Sequence, residues 1–267
     1  MRFAKQLPIG STDLRFEVET IRAKKNKEEA ESKRNLYLGV RAIGLLALLT
    51  LGIITWVQLS RHFDPKTIAD VENAPYKLTR PVIALEFIQT PEQLKTILGD
   101  KAEHNRQELL DDIHRDYFFI AAYALLYIAL SLLLAHRHQR RWAVYLAWVA
   151  AICGIAAAVF DVQENRAIVN LLTAQTPDQQ TVSTIHLAAT VKWALSFFTT
   201  AILAVTFYAS DGWLLLVGYA LRLTALLGLI GLWYLWILPW SPLPLLPALL
   251  VLIIRGLFQP MKFIDEL

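Results

Sequence analysis

Apolar runs, each about the length of a membrane crossing, alternate with charged stretches along this chain. The first covers residues 42–59, AIGLLALLTLGIITWVQL, bracketed by Arg41 and by Arg61–His62. Crossing ~30 Å of hydrocarbon takes ~20 apolar residues in a helix, so this run is long enough to span. Later runs cover 117–135, 142–160, 187–209 and 213–238, and a last one leads from the Pro-rich PWSPLPLLP turn to about residue 258. The pattern predicts an all-α integral membrane protein with about six transmembrane helices. It divides the chain into a polar, basic segment (1–40), a first transmembrane helix (41–60), an outer-side interfacial or helical segment (61–115), a core of three transmembrane helices (116–209) and a C-terminal transmembrane hairpin (210–267).

Between the spans the pattern is less regular. Phe16, Val18 and Ile21 alternate with charges, as in a short strand or an ordinary tail, while EEAESKRNLYL reads as helix. Val82 to Ile88 is apolar apart from Glu86, but too short to span; it reads as interfacial, re-entrant or packed on the bundle. Thr90-Pro91-Glu92-Gln93 has the residues of a helix start, with Thr as N-cap, Pro in first position and Gln reaching back. Gly99 is placed to end that helix. Thr176-Pro177-Asp178-Gln179 repeats the pattern and opens the helix of the fourth span, a weak sign of internal duplication. No Gly or Pro stops the third helix before Pro177, so it should run out through Asn170.

Composition agrees with spanning. The chain of 267 residues is 55% hydrophobic with a mean hydropathy of +0.41, above the ~45–50% apolar content of soluble domains. No cleavable signal peptide is expected, because the first apolar run starts near Ala42. The one cysteine, Cys153, lies in an apolar helix and cannot form an intrachain disulfide. The basic N-terminal stretch KKNKEEAESKR lacks interleaved stacking aromatics, which suits anionic lipid rather than nucleic acid. With both termini cytosolic, the inner segments, counted with Arg41 and Arg255 at the span edges, hold fifteen Lys or Arg, and the two outer ones, 60–116 and 161–186, nine against fourteen Asp or Glu. That asymmetry obeys the positive-inside rule.

This topology gathers ionisable residues at the outer ends of the spans: Glu86, Asp116, Asp161, Glu164, Asn165, His186 and Lys192, with Asp112 and His114 beside them. Ionisable groups within spans are costly and mark a pathway, a site or an internal pair. The small residues Ala150, Gly154, Ala157 and Ala158 form a face that Asp161 continues, so Asp161 should look into the bundle. Asp112, Asp116 and Tyr123 share a second face. Lys192 sits about 10 Å of helix beyond His186 and, six residues on, does not share its face. It needs a carboxylate partner, for which Asp161 and Asp116 are the best placed. His and carboxylate together suit a divalent metal, but no HExxH motif or His cluster supports one, and no cofactor is indicated. Gly-rich phosphate loops, GxSxG and Cys pairs are absent, which leaves nucleotide hydrolysis, serine hydrolysis and thiol redox chemistry without support.

The pattern ALEF-x-x-TPEQ-x-x-x-IL, then Asp116-Tyr117-x-Phe119, then Asp161-x-x-Glu164-Asn165, resembles uncharacterised bacterial small membrane proteins with a four-helix core. The resemblance covers about residues 80–209 and implies a bacterial membrane setting and a shared polar cluster, with no activity attached. Two function classes follow. One is a structural, assembly or interaction protein whose partners are the lipid bilayer and another membrane protein, with no nucleic acid. The other is a membrane-embedded enzyme or carrier with a carboxylate, His and Lys pocket open to the outer side.

Overall fold

In the computed structural model, residues 11–59, 81–137, 140–208 and 212–258 are described. The chain divides into two compact units, residues 1–39 with 260–267, and residues 40–259. All described regular structure is helical. Helix α1 runs from Ser11 to Leu59. Its stretch within the first unit carries exposed side chains from Glu19 through Glu31. The segment Phe16 to Ile21, read as a short strand or an ordinary tail, is helical instead. Its run of Lys, Glu, Arg and Ala has strong helix propensity and no breaker.

The second unit contains the rest: α2 (Pro81–Glu86), α3 (Gln93–Leu98), α4 (Ala102–Arg137), α5 (Arg141–Thr173), α6 (Gln179–Tyr208), α7 (Trp213–Trp233) and α8 (Leu245–Phe258). Among the described residues, six helical stretches are long and apolar enough to cross a membrane. They fall in α1, α4, α5, α6 and α7, and in a final stretch from Leu238 that includes α8. The expected helical class and span count are thus present. α7, the helix of the fifth apolar run, ends at Trp233 rather than Leu238. The chain folds back there, and a Cβ built on Gly231 would lie 2.9 Å from the Leu238 Cα. A 3₁₀ turn, Leu238–Trp240, leads into α8.

α4, α5 and α6 are sequential antiparallel neighbours, and α5 packs most intimately on α6. Of the expected small-residue face of α5, Ala150, Gly154 and Ala157 point inward and are buried, while Ala158 is half-buried. Gly154 lies so near α4 that an added Cβ would sit 2.9 Å from the Tyr127 Cβ. Small residues allow this approach because it brings many backbone atoms into van der Waals contact.

At the end of the bundle formed by the start of α4, the end of α5 and the start of α6, the segment of α2 and α3 closes over the helices. Ile83, Leu85, Phe87, Ile88, Leu94, Ile97 and Leu98 join Leu109 and Ile113 of α4, Ile168, Leu171 and Leu172 of α5, and Val182 and Ile185 of α6 in one apolar core. Each fully buried Leu or Ile there contributes about 1.5–3 kcal/mol relative to exposure in water. The 82–88 patch is therefore packed on the bundle. Polar bonds pin the turns around it. Gln179 Nε2 donates to the Gln89 carbonyl at 2.9 Å, and Asn105 Nδ2 donates to the Leu98 carbonyl at 2.8 Å.

The two helix starts differ in detail from the expected caps. Gln93 does reach back, its Oε1 accepting from the Gln89 amide at 2.8 Å and the Thr90 amide at 3.4 Å. The regular helix begins only at Gln93, because the turn before it is tight, with each amide bonding three residues back. Gly99 ends α3 at φ 59° with its amide on the Lys95 carbonyl. At α6 the cap is Asp178 rather than Thr176: Asp178 Oδ1 accepts from the Thr181 amide at 2.8 Å. Asp is a strong capping residue, and here it stands three positions before the amide it satisfies.

Candidate functional site

Lys192 stands at the centre of the polar cluster. It is about a turn and a half into the apolar part of α6, and a lysine so placed must find counter-charge or snorkel outward. It is buried, with Nζ 2.7 Å from Glu164 Oε2, 3.2 Å from Asp161 Oδ1 and 3.3 Å from Glu86 Oε1. All four side chains are at most 8% exposed. Nζ also lies 5.3 Å from the Trp193 ring centroid.

Each carboxylate reaches the centre from a predictable register. Asp161 and Glu164 are three apart on α5 and share a face. Glu86 is the last residue of α2 and is brought in by the apolar packing of its neighbours. Further donors complete the network. Tyr123 OH donates to Asp161 Oδ2 at 2.8 Å, and Trp193 Nε1–H donates to Glu86 Oε2 at 2.6 Å. Asn165, one position after Glu164, donates through Nδ2 to Asp116 Oδ2 at 2.9 Å. Below this layer, Tyr127 OH and Thr200 Oγ1 lie 3.2 Å apart, and the Thr200 hydroxyl donates to the Ser196 carbonyl. Rings of Phe119, Tyr123 and Tyr127 follow one another along α4, with centroids 5.3 and 5.8 Å apart.

Of the residues expected to meet, Glu86, Asp116, Asp161, Glu164, Asn165 and Lys192 do so. His186 does not. It is exposed and lies edge-on to Phe87, with ring centroids 6.0 Å apart. Six residues of helix turn its side chain well away from the Lys192 face, so it cannot follow Lys192 inward. Asp116 is in the cluster but is not an ion-pair partner of Lys192. Its carboxylate binds Asn165, while Glu86 and Glu164 take the places beside the ammonium. His114 is exposed, and Asp112 pairs with Arg115 Nη1 at 3.1 Å on its own helix. Among the described residues, no group of three or more His, Cys, Asp or Glu is arranged to hold a metal ion.

Trp193 is the participant that spacing does not reveal, since it neighbours Lys192 and a residue one step on points about 100° away. Its long indole nevertheless folds back to Glu86. One signal was available: most tryptophans of this chain fall near span ends, whereas Trp193 sits inside a span, where its N–H requires a partner.

Fold and site together define a class: an all-helical protein with six helices of spanning length and apolarity, built around a buried lysine–carboxylate network. Comparison with protein-family models, curated proteins and solved structures gives no match.

Proposed function

We infer that this is a multi-pass integral membrane protein of a bacterial cell, both termini cytosolic, with a structural, assembly or interaction role rather than a catalytic one. The apolar length of six helices and the concentration of Lys and Arg on the inner segments support insertion in that orientation. The polar cluster then lies in the outer half of the membrane. One observation carries the choice of role: the Lys192 ammonium is already ringed by three carboxylates at 2.7–3.3 Å. An ammonium so occupied offers an anionic ligand nothing, and the closed cluster suits a clamp between α5 and α6, with Glu86 of α2 seated against it. The surplus of carboxylates over cations favours the second class, an enzyme or carrier, and the test below separates the two.

Removing one member of a buried ion pair leaves uncompensated charge and costs about 3–5 kcal/mol, whereas replacing the whole set by neutral residues is often nearly neutral. Lys192→Met alone should therefore collapse the folded yield in membranes. Combining it with Glu86→Gln, Asp161→Asn and Glu164→Gln should restore that yield and leave the cellular phenotype intact. A fully neutral variant that folds normally yet behaves like a deletion strain would refute the clamp and establish a working site.

A further inference from the structure

The geometry points to α2 as a releasable latch: the segment that carries Glu86 is held on the bundle by apolar packing and Trp193, and its own ion pair adds no net hold. Three carboxylates converge on one ammonium. Glu86 Oε1 is 3.3 Å from Lys192 Nζ, while Asp161 Oδ1 and Glu164 Oε2 are 3.2 and 2.7 Å from the same atom. The two acidic oxygens can therefore be no more than about 6.5 Å and about 6.0 Å from Glu86 Oε1, the limits set by a straight line through Nζ. Coulomb energy falls as the inverse of distance. With charges at these atoms and all groups ionised, the two repulsions together at least match the single attraction. Any uniform dielectric scales both sides equally, so the cancellation does not depend on the value chosen. Asp116, bonded to Asn165 close by, adds further repulsion.

The same balance holds for Asp161, but Asp161 belongs to a helix of 33 residues and cannot leave without it. Glu86 ends a helix of six. When it departs, Lys192 keeps two partners and the remaining carboxylates lose a repelling neighbour. The cluster can therefore lose Glu86 without orphaning a buried charge, which is not true of a simple pair. What opposes release is the burial of Ile83, Leu85, Phe87 and Ile88, the indole bond from Trp193 and the Gln179–Gln89 bond. Opening would bare the Lys192, Asp161 and Glu164 side chains together with the apolar underside of α2. Local openings of this kind fall at the low end of a protein's stability range.

Thiol accessibility in the purified full-length chain tests this without reference to orientation. The background is Cys153→Ala, which removes the only native cysteine. Ala84→Cys reports on α2, and Ala189→Cys, fully buried on α6, reports on the bundle. Ala84→Cys should react with a maleimide about tenfold or more faster than Ala189→Cys, as local opening requires. Glu86→Gln keeps an acceptor for Trp193 and removes attraction and repulsion together, so labelling at position 84 should stay the same or slow, with position 189 unchanged. Equal protection at the two positions would overturn the latch. So would a Glu86→Gln variant in which labelling at 84 quickens several-fold.

Discussion

Two regions of this molecule join helices by opposite means. Where α4, α5 and α6 meet α2, a buried polar cluster is set into the apolar packing: Lys192 and three carboxylates, with Tyr123, Trp193 and Asn165 as donors. Where α1 meets α8 and α6 meets α7, glycine takes over. A Cβ on Gly256 would lie 2.6 Å from the Gly44 Cα, and one on Gly228 would lie 2.1 Å from the Phe197 ring. In a bilayer apolar burial gives no preference for protein over lipid, so helix association there rests on close approach or on polar bonds. The polar region should therefore be sensitive to charge and tolerant of modest size changes. The glycine region should show the reverse.

The sharpest break of this contrast is Lys192→Met, nearly unchanged in length, with an expected loss of about 3–5 kcal/mol. Thermal unfolding in detergent measures it, and a loss below about 1 kcal/mol would mean that charge does not hold this end. Gly228→Ala comes next. It adds one methyl group and no charge, yet meets a ring that is 3% exposed and stacked on Trp193 at 5.5 Å. Overpacking of this kind costs about 1–3 kcal/mol, and Phe197→Leu in the same chain should recover part of it. Gly256→Ala should act more narrowly. The obstructing atoms are backbone, which no rotamer change can move, so α1 and α8 must separate; a falling yield of cross-links between cysteines on those two helices would report it.

The smallest effect belongs at the start of α6, outside both regions. Hydrogen bonds from the Thr181 amide and then its hydroxyl hold the exposed Asp178 carboxyl below the usual aspartate range. A lowered folded-state value means that the cap's support is present above the ordinary aspartate range and lost as pH falls through the lowered value. Fraying of the first turn on acidification, measured by Thr181 amide exchange, should appear in the native chain and be muted in Asp178→Asn. An equal response in both would remove the carboxylate from the account.

Much of the bundle could be read from residue pattern alone, because length and apolarity declare a helix of spanning length whatever its neighbours. The inward face of α5 was legible for the same reason: Gly154, Ala157 and Asp161 recur at helical spacing. Asp161 as a partner of Lys192 followed from the cost of leaving a buried ammonium unpaired. Glu164 was within reach of the same reasoning, since it shares the face of Asp161 three residues on; Glu86 was not, since its place depends on how the 81–99 segment folds onto the bundle, which is a matter of tertiary packing. His186 was misplaced for a related reason. Matching depth along a helix says nothing about direction around it, and the six-residue offset from Lys192 was the better guide. The end of α7 escaped because hydropathy continues through Leu235 and Ile237, while the backbone turns where Gly231 admits it.

The contact between Phe197 and Gly228 also bears on how such a protein can change over generations. A side chain at 228 is admissible only alongside a smaller one at 197, so the two positions form a single heritable unit on different helices. Phe197 stacks on Trp193, and Trp193 grips Glu86. A substitution in α7 that carries no charge and touches no polar group would thus reach the α2 segment through two rigid rings. Drift at an apolar position of α7 would then be constrained by a carboxylate more than a hundred residues earlier in the chain.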